Sequence, residues 1–246
     1  MSIVRGSWSR RLGLILIVAG AVAIVWALVV WRWQDPFTAL YTRYEQHQLA
    51  REYERRAHAF VAAALATPRR VAGKSQRTAV DVALERAAIV SDARRYRASS
   101  HQGDPLGRIV VPRLGLDMIF VNGTDSSSLE RGPGRDLQTY MPGENRLVYI
   151  AGHRTTFLAP FAHLDALVAG DRVKLELPYA TFVYVVTRHV IVPADDLAVL
   201  RSGHRELLAL QACHPRFFAT HRYIVYARAL EITPSGAGAR AYRAAG

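Results

Sequence analysis

The chain has 246 residues, half of them hydrophobic and 21% charged, a balance that excludes wholesale disorder and leaves room for one ordinary domain with accessory segments. Its formal net charge is +12, but residues 1–33 carry +4, residues 34–100 carry +5 and residues 101–246 only +3. The basicity is thus spread along the N-terminal part, without a recognition motif, and nucleic-acid binding finds no support beyond charge. The single cysteine excludes an intrachain disulfide and a cysteine-rich zinc site.

Residues 12–30 form a run of nineteen without a charge. As a helix rising ~1.5 Å per residue it matches a hydrocarbon core of roughly 30 Å. Arg5, Arg10 and Arg11 precede it, so the positive-inside tendency puts the short tail 1–11 in the cytoplasm and everything beyond the span outside. Trp26, Trp31 and Trp33 stand where an outer aromatic belt belongs. A cleaved signal peptide is the competing reading, but its small-residue site, Ala21-Val22-Ala23, falls in mid-segment with apolar residues continuing to Val30. The expectation is an uncleaved, single-pass membrane anchor.

From 37 to 65, Phe37, Leu40, Tyr41, Tyr44, Leu49, Tyr53, Phe60 and Val61 recur mostly at three- and four-residue steps, predicting an amphipathic helix ended by Thr67-Pro68. Val80, Ala83, Leu84, Ala87 and Val90 predict a second helix over about 76–96. Together, 31–103 reads as a helical juxtamembrane stalk or packing collar, followed by a linker at 99–105. Its charged faces suit water; contact with anionic headgroups is the other option.

After Pro105 the texture changes to short β-type runs broken by Gly and Pro. Runs at 107–111, 116–121, 146–151, 172–177, 181–192 (read as two strands), 207–212 and 223–230 give about eight strands. Short helical pieces fit at 160–168 and 126–131. Regular short strands with few helices predict a mainly β domain, a sandwich or closed barrel, over 104–232. No glycine-rich phosphate loop appears, which argues against nucleotide binding. The tail 233–246 has no pattern and is expected to be disordered.

Cys213 ends the apolar run 207–212, and Arg222 opens the run 223–230. If the two runs pair antiparallel, thiol and guanidinium sit at neighbouring strand ends. A lone thiol there is a candidate nucleophile; the blander reading is an inert buried cysteine. Among nine histidines, His153 stands out because it follows the strand 146–151 and Gly152. His214 adjoins Cys213, but neighbouring residues on a strand face opposite ways, which argues against its touching the thiol; His221 has the same problem beside Arg222.

These residues resemble the sortases, specifically the class E housekeeping type of high-GC Gram-positive bacteria, over roughly 104–230. Asp104-Pro105-Leu106-Gly107-Arg108-Ile109-Val110-Val111-Pro112 with Leu114-Gly115-Leu116 resembles the family's first strand and turn. Gly132-Pro133-Gly134, Met141-Pro142-Gly143 and Ile150-Ala151-Gly152-His153-Arg154-Thr155-Thr156 resemble the segment delivering the histidine. The stretch 209–213 with His214-Pro215 is similar to the nucleophile motif, and Arg222-Tyr223-Ile224-Val225-Tyr226-Ala227-Arg228 to the arginine strand.

The resemblance implies an eight-stranded sortase-type β-barrel in which Cys213 is the nucleophile, His153 the general acid/base and Arg222 the stabiliser of the acyl-transfer intermediate. It implies a cysteine transpeptidase that cleaves an LPXTG- or LAXTG-like sorting signal of a secreted protein between Thr and Gly. The acyl chain would then pass to an amine of a lipid-linked peptidoglycan precursor at the outer face of the cell membrane. Neither cofactor nor metal is expected. A pilin-polymerising sortase and a non-catalytic, membrane-tethered β-domain that binds a cell-wall ligand are the alternatives. One departure stands out: alanines occupy positions 209 and 212, where the family motif carries threonine, and the missing hydroxyl beside the nucleophile bears on substrate positioning.

Overall fold

The computed structural model describes residues 5–33, 36–65, 79–236 and 241–244. Helix α1 (Arg5–Trp33) contains an 18-residue window, Arg10–Ala27, of mean hydropathy 1.9, long and apolar enough to cross a membrane. No protein surface covers that window: none of it is buried, so its apolar side chains would face water unless lipid took them up.

Helix α2 (Pro36–Leu65) opens on proline, whose fixed φ and missing N–H suit a first helical position. It lies against the barrel and does not project as a free stalk. Leu49 is buried against Ile119 and Val121. Gln46 donates to the carbonyls of Ile119 (2.9 Å) and Arg131 (2.8 Å) and accepts from the Ile119 N–H at 2.7 Å. Helix α3 (Ala79–Ala98) turns Ile89, Ala93 and Tyr96, spaced as one helical face, into the main core. The Tyr96 hydroxyl donates to the Leu106 carbonyl at 2.9 Å, and Arg97 grips Glu144 with two bonds of 2.8 and 3.1 Å. Both helices thus pack on the barrel along their described residues. The expected helix end at Thr67-Pro68 and the expected start near 76 lie outside the described residues.

The strands are β1 (Pro105–Val111), β2 (Leu116–Asn122), β3 (Gly134–Arg135), β4 (Leu147–Ala151), β5 (Arg172–Glu176), β6 (Ala180–Pro193), β7 (Leu207–His214), β8 (His221–Pro234) and β9 (Tyr242–Arg243). The first eight close into a barrel in the order β6-β5-β1-β2-β3-β4-β7-β8, with β8 pairing back to β6. Closure leaves none of these eight strands as a free edge, although β3 covers β2 only at Val121 and Asn122. The β2–β3 and β4–β7 pairs are parallel and the others antiparallel. The one-turn helix α4 (Ser126–Arg131) connects β2 to β3, capped by the Asp125 carboxylate on the Ser128 N–H at 3.1 Å.

The eight expected strands are reached by a different count. The run 181–192 is one strand, not two: it shifts register between Val183 and Tyr184 and again between Val186 and Arg188, so it bends without breaking. The strand that makes up the number is β3, only two residues long. Residues 160–168 form a 3-10 turn at Leu164–Ala166 in place of the expected helix. Phe161, Leu164 and Leu167 are buried at three-residue steps, the period of that tighter helix. The tail is not patternless where it is described: Thr233 and Pro234 extend β8, and Tyr242 is buried opposite Ile232. Aromatic burial and two more ladder positions tie down what composition alone marked as loose.

Candidate active site

Strand alternation sorts β7 into two faces. Leu208, Leu210 and Ala212 point into the barrel core. Ala209 belongs to an outer cluster with Leu147, Tyr149, Ile224 and Tyr226, so Gln211 and Cys213, two and four residues on, share that outer face. On β8, Ile224 and Tyr226 face the same way, and Arg222 follows by the same step. Cys213 and Arg222 are direct partners in the antiparallel ladder, as the sequence suggested.

Strand β4 runs parallel to β7 with a constant offset, from Leu147 opposite Leu207 to Ala151 opposite Gln211. The Gly152 N–H still donates to the Gln211 carbonyl at 3.0 Å. The ladder ends there, and His153 follows one residue later, on the loop that leaves β4. Cys213 and Arg222 therefore face one another at the ends of β7 and β8, and His153 lies on the loop leaving β4, the neighbour of β7 on its other side.

None of the three is bonded to another. Cys213 is a half-buried free thiol whose sulfur has no hydrogen-bond partner among the described residues. The Nε2 of His153 is buried without a partner. Arg222 Nη1 donates to the carbonyls of Ala219 (2.8 Å) and His221 (3.1 Å). Burial raises the pKa of the Tyr149 hydroxyl, and the Arg222 charge opposes that rise. Burial pushes the His153 pKa below its usual value, opposed by the Glu130 carboxylate.

The loop after His153 is unusual in its backbone. Phe157, Leu158 and Ala159 have φ of 52°, 60° and 38°, three consecutive left-handed residues of which none is glycine. Such conformations cost roughly 1 kcal/mol or more each and persist only where surroundings impose them. The Phe157 ring lies on His153, centroids 5.1 Å apart. A cavity of about 290 Å³ between the β1–β2 turn and residues 158–163 flanks this loop but includes none of the three candidates. No group of three or more His, Cys, Asp or Glu side chains arranged to hold a metal occurs among the described residues.

Sequence reading missed Arg154. It is 6% exposed. Its Nη1 donates to the Cys213 carbonyl at 3.1 Å and lies 3.0 Å from His214 Nδ1, while Nη2 pairs with Asp165 at 3.0 Å. The guanidinium also lies over the Tyr223 ring. One side chain thus ties the histidine loop to the backbone of the nucleophile candidate. The position of Ala212 also changes its meaning. Its side chain is fully buried in the core, on the face opposite the thiol, so a hydroxyl there would sit inside the barrel and not beside the nucleophile.

A family model described as "Sortase domain" matches residues 109–230. Sortase D of Bacillus subtilis (strain 168) is 33% identical over 130 residues, covering 51% of this chain and 64% of that protein. The structure of sortase E from Streptomyces avermitilis superposes with a TM-score of 0.50 at 30% identity, covering 56% of this chain and 95% of that one. SrtF sortase from Corynebacterium diphtheriae, at 23% identity and a TM-score of 0.54 over 57% of this chain and 91% of that one, shares the fold. The chain spans less than two thirds of the length of the curated relatives it matches.

Proposed function

The chain belongs to the sortase family, and we propose that it is a class E-type cysteine transpeptidase, anchored by α1, that transfers secreted proteins to a cell-wall precursor. The observation that carries this reading is the direct pairing of Cys213 with Arg222 across β7 and β8, with His153 two residues past the end of β4, which flanks β7 on its other side.

The Cys213 thiolate attacks the threonine carbonyl carbon of an LPXTG- or LAXTG-like signal. Only the thiolate is nucleophilic. The carbonyl π electrons move to oxygen, and the Arg222 guanidinium donates to that oxyanion; such a donor is worth ~3–4 kcal/mol of barrier. The C–N bond to glycine then breaks, His153 delivers a proton to the departing amine, and a thioester remains on Cys213. An amine of a lipid-linked peptidoglycan precursor attacks the thioester, His153 takes its proton, and the new amide releases the thiolate. Burial disfavours the imidazolium of His153, the form that must protonate the leaving amine. Phe217 and Phe218, exposed in the loop between Cys213 and Arg222, offer apolar surface to the leucine of the signal.

Arg5, Arg10 and Arg11 orient the anchor with its N-terminus in the cytoplasm and the barrel outside. Cys213→Ala should abolish release of the glycine-containing fragment from a fluorogenic peptide bearing the signal. Arg222→Ala and His153→Ala should each lower kcat/KM by at least 100-fold. Undiminished cleavage by the Cys213 variant would sink the assignment, and a mild effect of Arg222→Ala would remove it from the mechanism.

A further inference from the structure

The juxtamembrane helix meets the groups around His153 at two places. The Phe157 N–H donates to the side-chain oxygen of Thr38, 3.2 Å away and 119 residues distant in sequence. One turn later, Thr42 Oγ1 lies 2.9 Å from the carbonyl of Glu130. Phe157 is the residue whose ring covers His153, and Glu130 is the carboxylate that acts on its charge. The first two turns of α2 therefore hold both neighbours of the imidazole.

The contact with Phe157 falls where the loop most needs one. Phe157 opens the run of three left-handed residues, a backbone path with no glycine to relieve it, so its amide requires a fixed acceptor to stay there. Thr38 is itself well fixed. The helix behind it is locked to the barrel through Gln46 on both polar groups of Ile119, the Glu45–Arg131 ion pair at 3.0 Å, and buried Leu49.

We propose that Thr38 is a positioning residue for acyl transfer: by accepting the Phe157 amide it holds the loop that presents His153, which makes the first turn of α2 part of the catalytic apparatus. The inference rests on the transpeptidase reading above. A loosened loop leaves the sorting signal free to bind at β7 and β8 but misplaces the imidazole that must protonate the leaving amine. The loss therefore falls on kcat and not on KM.

The test uses the full chain in detergent micelles, a dye–quencher peptide carrying an LAXTG signal, and two variants. Thr38→Val keeps the shape and removes the acceptor; Thr38→Ser keeps the acceptor. Thr38→Val should lower kcat about tenfold with KM within twofold of wild type, and Thr38→Ser should stay within twofold in both. Hydrogen exchange should show the Phe157 amide opening faster in the valine variant at an unchanged melting temperature. Wild-type kcat in Thr38→Val, equal loss in both variants, or a loss matching the unfolded fraction would each overturn the proposal. Normal turnover by Thr38→Val beside an active wild type counts against the clamp alone, whereas a wild type inert towards the peptide counts against both readings.

Discussion

At position 212 the side chain points into the barrel while Cys213 points out, and that alternation decides what each residue can do. A sequence motif reads the two as neighbours; the fold puts them on opposite faces. The pairing of Cys213 with Arg222 is legible because each stands at one end of an apolar run, and the ends of antiparallel neighbours meet; His153 is a candidate by its place after the run 146–151. Arg154 was not legible. An arginine following a histidine reads as a surface charge, and its partners Cys213, His214 and Asp165 come together only when β4 and β7 pair in parallel. Its weight can be measured: Arg154→Met leaves the Cys213 carbonyl and His214 Nδ1 without their donor, and the end of β7 is then no longer fixed relative to the His153 loop. Its kcat, normalised to titratable thiol, should fall about tenfold; an unchanged normalised kcat would confine Arg154 to stability.

Among elements, the long amphipathic helices and most strands could be read from periodicity, and the exceptions have physical causes. β3 escapes because Gly134-Arg135 carries no alternation to detect. β6 reads as two strands in sequence because its bulges break the period of two, while hydrogen bonding to β8 continues on either side. Gln46 escapes for a related reason: β3 is too short to cover β2 as far back as Ile119, and the glutamine amide supplies the missing ladder partner. The starts of β4 and β7 are joined by Glu206, buried and accepting from the Gly143 and Asn145 N–H groups at 2.8 Å and the Tyr184 hydroxyl at 2.7 Å. Burial raises its pKa from about 4.5 to about 7, against the pull of those donors. Between these values the unfolded chain has lost the proton that the folded one keeps, so this group's contribution to stability falls as pH rises from about 4.5 to about 7 and is level above. The unfolding free energy of Glu206→Gln should lack a decline on the order of 3 kcal/mol across that window; parallel wild-type and variant profiles would show that Glu206 is ionised throughout.

For the whole molecule, the net charge of +12 invited a nucleic-acid reading that its distribution and the barrel do not support. The uncovered apolar surface of α1 asks for lipid instead. Three Cα steps separate Trp33 from Pro36, at most ~11 Å, so the first turn of α2, and the His153 loop that leans on it, are tethered close to the outer end of the proposed span. A site held there suits a donor and an acceptor that are themselves retained at the membrane. The central claim is that Cys213 carries the acyl chain, and intact-protein mass spectrometry during turnover tests it most directly. With an LAXTG peptide and no added amine, the account predicts a gain equal to the fragment ending in threonine, mapped to Cys213, released by hydroxylamine and absent from Cys213→Ala. Peptide cleavage with no adduct, and at an unchanged rate in Cys213→Ala, would contradict it.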